Sequence, residues 1–97
     1  MTNSKFTKHE ITAITSLRGY FHATWDEVIE QFGQPDYEAM GEKVTAEWSL
    51  IDNAGHVYTI YDWKHSASVC RSGARFRWHV GGTDQTDPQK IRNVFGQ

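Results

Sequence analysis

Few residues in this chain have the types and spacing that chemistry requires. Asp62 closes one alternating stretch and His79 lies in another. If the two stretches pair as neighbouring strands, these side chains approach as an Asp–His dyad, a general base with Lys64 or Arg71 to hold an anion. A structural hydrogen bond accounts for the same pair equally well. No nucleophile accompanies it, because Ser66, Ser68 and Ser72 fall among small residues without a nucleophile elbow. His56, His65, Cys70 and His79 are separated by eight, four and eight residues, without the short Cys–Cys or His–His spacing of a zinc site. Gly81 and Gly82 run into Thr83 and Asp84, not into a G-x-G-x-x-G helix start. A tight exit from a strand explains both glycines. The expectation is therefore a non-enzyme with no metal and no cofactor.

What remains is recognition chemistry. Arg75, Arg77 and His79 alternate with Phe76, Trp78 and Val80, so a strand here puts a basic row on one face and an apolar row on the other. In the stretch before it, Val57, Thr59, Tyr61 and Trp63 share one face, and Tyr58, Ile60, Asp62 and Lys64 the other. Both of these faces contain aromatics, so periodicity leaves open which is core. With Tyr58 and Ile60 inward, Tyr61 and Trp63 flank the basic row. Such a platform suits a base, a nucleotide or an acidic loop of a partner. The competing reading puts the aromatics in the core and the arginines in solvent.

The elements that must position these residues have local signatures. Thr24-Trp-Asp-Glu27 is a capping box. Trp25, Val28, Ile29 and Phe32 follow as one apolar stripe, and Gly33 and Pro35 stop it. This predicts a helix over 25–32. Residues 43–51 alternate as a half-buried strand, Asp52-Asn-Ala-Gly55 forms a hairpin turn, and 56–63 return. Residues 64–74 read as a loop and 75–80 as the third strand. Asp87-Pro88 opens a last helix carrying Ile91, Val94 and Phe95. The β-branched run from Ile11 to Thr15 fits a short strand, and Gly19 reads as a helix breaker. Residues 1–10 read as a loose polar start, and 11–97 as one domain. The expected fold is α+β: a small antiparallel sheet of three to four strands with two helices on one face.

Composition sets the outer bounds. The chain has 97 residues, 38% hydrophobic and 23% charged, the mix of one globular domain. Ten Lys and Arg against 12 Asp and Glu leave a net charge of −2. That opposes both a sequence-blind DNA binder and a highly acidic DNA mimic. The single cysteine forms no internal disulfide, which suits a reducing cytoplasm. No apolar run is long enough for a membrane span, and the start has no signal-peptide core.

An ordered set of motifs adds a setting. Phe32-Gly-Gln-Pro35, Trp48, Thr59-Ile-Tyr-Asp-Trp-Lys64 and Trp78-His-Val-Gly-Gly82 resemble a family of small, uncharacterised bacteriophage-encoded proteins. Its pattern is F-G-x-P, W, I-Y-D-[WY]-K and W-H-[IV]-G-G, and the resemblance runs over residues 17–95. It implies an infected bacterial cytoplasm, not an activity. The loop at 65–74 departs from the family's often longer, acidic loop, so no ligand contact is carried over there. Platform and motif together single out Tyr61, Asp62, Trp63, Lys64, Arg75, Arg77 and His79 as binding residues. The expectation is a non-enzymatic module that binds and modulates a host protein, for example a defence nuclease or a polymerase factor. The alternative is a nucleotide binder, holding phosphate with Lys64, Arg75, Arg77 and His79 and a base on Tyr61 or Trp63. Nucleic acid ranks below both because of the net charge. Open sheet edges make a homodimer a further expectation.

Overall fold

The structure, a computed structural model, describes residues 6–8, 15–39, 43–64, 68 and 71–97. Among the described residues six strands and two helices follow in the order β1 (Phe6–Lys8), β2 (Ser16–Ala23), α1 (Trp25–Phe32), β3 (Tyr37–Glu38), β4 (Ala46–Asp52), β5 (Val57–Tyr61), β6 (Phe76–Gly82) and α2 (Pro88–Val94). The strands form one antiparallel sheet in the order β1-β4-β5-β6-β2, and β3 pairs with the start of β4. The fold is α+β, with more strands than the sequence predicts. Among the described residues no helix is long and apolar enough to cross a membrane.

α1 begins where its capping box lies. The Thr24 hydroxyl accepts from the Glu27 amide at 3.2 Å, and the Glu27 carboxylate accepts from the Thr24 amide at 2.8 Å. That second bond holds the Glu27 carboxyl below its ordinary range. Two buried indoles then fix the helix to the sheet. Trp78 Nε1 donates to the Ala23 carbonyl at 3.1 Å, just before the helix. Trp48 Nε1 donates to the Gly33 carbonyl at 2.8 Å, just after it. The two rings meet edge to face at 5.4 Å, and Trp25 packs on both. Each indole N–H is satisfied in the core, which removes the penalty of burying it.

The three strands that the sequence leaves unseen have physical reasons for being missed. β1 and β3 are three and two residues long, too short to show a period. β1 occupies what reads as a loose start, and its Phe6 lies in the core against Phe32 and Tyr58. β2 is long but carries Gly19 at a register shift. That glycine serves a close approach: a Cβ there would lie 2.8 Å from Pro88 Cβ at the start of α2. The proposed strand at 11–15 lies outside the described residues, apart from Thr15, which is not strand.

The outer edge of β2 is occupied. Arg92 donates to the Tyr20 carbonyl at 3.0 Å, and Gln97 brackets His22, accepting from its amide and donating to its carbonyl. Side chains thus take backbone groups that a neighbouring strand would use. The outer edge of β4 is taken by β3 and β1.

Gly19→Ala sets two effects against each other. Relieving a strand glycine gains up to about 1 kcal/mol. Forcing a methyl against the rigid Pro88 ring costs about 1–3 kcal/mol. The expected outcome is lower stability in urea denaturation; equal or greater stability would show that α2 does not press on β2.

Candidate functional site

The register of the sheet builds one lateral row of side chains. Tyr37 lies opposite Glu47, Glu47 opposite Tyr61, Tyr61 opposite His79, and His79 opposite Tyr20. Directly paired residues share a face, so this row crosses five strands, about 19 Å at the usual strand spacing. Its face is opposite the helices, because Tyr58, Ile60, Trp78 and Val80 alternate with it and are buried in the core. The sequence leaves the core face of β5 open; the structure puts Tyr58 and Ile60 inward and Tyr61 outward.

Rings crowd around the histidine of this row. His79 is only 9% exposed. Tyr61 stacks on it at 5.4 Å, Tyr20 meets it edge-on at 5.0 Å, and Trp63 tilts over it at 6.3 Å. The Arg77 guanidinium lies 4.3 Å from the Tyr20 ring centre. The ammonium groups of Lys43 and Lys64 lie 5.9 and 6.0 Å from that of Trp63. Beside this row runs a shallow line of small residues, Ser49, Thr59 and Gly81. The Thr59 hydroxyl is bonded to that of Thr15 at 3.2 Å, and a Cβ on Gly81 would collide with Thr59 Oγ1.

Four large apolar side chains stand exposed among the described residues: Leu17 (48%), Tyr37 (44%), Trp63 (38%) and Tyr20 (36%). All four belong to this face. Leu17 is paired with Gly81, two residues on from His79. Singly scattered apolar residues need no explanation, but their gathering on one face does.

The predicted residues divide. Tyr61, Trp63, Lys64, Arg77 and His79 come together on the open face. Asp62 does not. It is fully buried, and its carboxylate accepts from the Thr45 amide at 2.8 Å, the Ala46 amide at 3.0 Å and the Thr45 hydroxyl. Strand alternation directs it away from the side that Tyr61 and His79 share, so the proposed Asp62–His79 dyad is not built. Its contacts fix the end of β5 to β4, where the Lys64 amide also donates to the Lys43 carbonyl at 2.8 Å. Lys64 has a φ of +61°, a turn that leaves Trp63 between two lysines. Arg75 also leaves the row. It pairs with Glu27 at 3.1 Å and donates to the His22 carbonyl at 3.3 Å. The sequence reading misses Leu17, Tyr20, Tyr37, Lys43 and Glu47. The alternation of Tyr20 and His22 with Phe21 and Ala23 is a signal for the first part of that set.

Glu47 is the acid in the middle of the row. Burial, and after it the charge of Asp36, pushes its carboxyl above the ordinary range. Tyr61 is pushed up as well, first by burial and then by the negative charges of Glu47 and Tyr20. Neither residue has the paired partner of a general acid–base site. Among the described residues no three His, Cys, Asp or Glu side chains converge as for a metal. His65, Ser66 and Cys70 lie outside the described residues.

A cleft of about 460 Å³ lies elsewhere, between α2 and the β4–β5 turn, lined by Phe6, Asp52, Asn53, Lys90, Asn93 and Val94. Asp52 is saturated there. It accepts from the Ala54 and His56 amides, the Tyr58 hydroxyl and Lys90. Compared with known proteins, the chain matches no family model, no curated protein and no solved structure.

The raised Glu47 carboxyl has a definite sign in stability. Its contribution is fully present below the unfolded glutamate range and is lost as pH rises through the folded value. Glu47→Gln is expected to be more stable than the parent at pH 7, with the gap closing as pH falls to about 4. Urea denaturation at both pH values measures this; a gap that widens on acidification would contradict it.

Proposed function

We propose that this chain is a non-enzymatic binding module that docks on a partner protein through the open face of its sheet. The observation that carries the reading is that all four large exposed apolar side chains lie on that face, beside Arg77. Tyr, Trp and Arg are the residue types that dominate interface energetics, in patches whose centres lose water on binding. The motif resemblance supports a phage-infected bacterial cytoplasm as the setting, and a host protein, defence proteins included, as the partner that it modulates. The cleft between α2 and the β4–β5 turn lies away from this face, whereas sites for small molecules are concave. That favours a macromolecule over the nucleotide of the alternative reading.

Two substitutions test the reading. Tyr20→Ala and Trp63→Ala each remove an exposed ring, and interface anchors of this kind cost about 2 kcal/mol or more. Each is expected to cut capture of the host protein from bacterial lysate by about tenfold or more, with melting temperature as the folding control. Glu30→Ala, on the exposed side of α1, is expected to leave capture unchanged. Full capture by both ring variants would end the assignment of this face.

A further inference from the structure

The cations of the described residues differ in how they are held. Lys8, Arg18, Arg71, Arg75 and Lys90 are neutralised by Asp36, Asp84, Glu38, Glu27 and Asp52. Arg92 is committed to the Tyr20 carbonyl and Gln89. Lys43, Lys64 and Arg77 form no ion pair among the described residues. Each of them instead lies over a ring of the open face. A chain with a net charge of −2 therefore turns these three cations to one side.

We infer that the partner docks with an acidic segment, carboxylates meeting Arg77 over Tyr20 and Lys43 and Lys64 over Trp63, around the rings that gather at His79. This rests on the open face being the docking surface. The cations are already seated. The ring beneath each of them attracts the cation, so less side-chain freedom is lost when a carboxylate arrives. Guanidinium on Tyr20 also leaves its N–H edge free for a bidentate carboxylate. The rings beneath the cations, Tyr20 and Trp63, both contact His79, at 5.0 and 6.3 Å, so the two cationic groups flank one side chain. Tyr61 stacks on the same histidine, and beyond it, on β4, stands the carboxyl of Glu47. That acid ends the positive track on the β4 side. A nucleic-acid backbone, with its closely repeated charges, needs a continuous track; separate carboxylates do not.

The test uses the whole chain and labelled short peptides of Glu, Leu and Ser, with matched peptides carrying Gln or Lys for Glu, and an oligothymidylate of similar length. Fluorescence anisotropy gives affinity. The quenching of tryptophan emission that is absent from Trp63→Ala reports on Trp63, since Trp48 and Trp78 are buried and Trp25 packs on the core from the helical side. The acidic peptide is expected to bind about tenfold or more tightly than the Gln peptide, and to weaken as salt shortens the screening length to about 3 Å at 1 M. Arg77→Glu and Lys64→Glu are each expected to cut its affinity about tenfold, and Trp63→Ala to cut that of every peptide. Equal binding of the Gln and Glu peptides, both lost in Trp63→Ala, overturns the acidic partner and keeps the docking face. Binding of the acidic peptide that survives Arg77→Glu, Lys64→Glu and Trp63→Ala overturns both. Tighter binding of the oligothymidylate assigns the cations to nucleic acid and overturns the inference, as does no binding of the acidic peptide at millimolar concentration.

Discussion

Two indole N–H bonds set the layout of this molecule. Trp78 on β6 holds the carbonyl before α1, and Trp48 on β4 holds the carbonyl after it. A helix of eight residues is too short to be stable alone. Here both of its ends are fixed to the sheet, and its apolar stripe closes over Trp48 and Trp78. α2 joins on the same side, where Phe95 just beyond it stacks on Phe21 at 4.7 Å and Ile91 is buried. α1 and α2 thus cover one face, and the rings gather on the other.

That second face is built differently. A sheet face can meet water if its residues alternate polar with apolar. This one instead places rings side by side across the strands and lays cations on two of them. His79 disappears beneath three rings, and Glu47 is pressed toward its neutral form between Tyr37 and Tyr61. Asp62 supports the arrangement from the inside. By holding Thr45 and Ala46 it fixes the end of β5, and so the place from which Trp63 and Lys64 are presented. Its role is to position the platform, and its burial keeps it from contacting a partner.

The parts legible in the sequence are those governed by local chemistry. Capping box, apolar stripe and stop residues mark α1 from Trp25 to Phe32 without error at either end. Asp87 and Pro88 mark α2. The alternation through Arg77 and His79 gives the two faces of β6 directly. Other parts depend on tertiary contacts. Gly19 reads as a breaker until Pro88 is seen to lie over it. Tyr37 and Lys43 join the site only through pairing with β4 and the turn at Lys64. Asp62 and Arg75 have the types and spacing of binding residues. Only their actual partners, Thr45 and Ala46 for one and Glu27 for the other, show that they serve the fold.

The central claim is that the open face, and not the helical side, meets the partner. Oxidative footprinting of the chain, alone and in bacterial lysate, measures this at single side chains. The account predicts that Tyr20, Tyr37 and Trp63 lose reactivity in lysate while Ile29 and Phe95 on the helical side keep theirs. Protection of Ile29 and Phe95 with Tyr20, Tyr37 and Trp63 unchanged would contradict it.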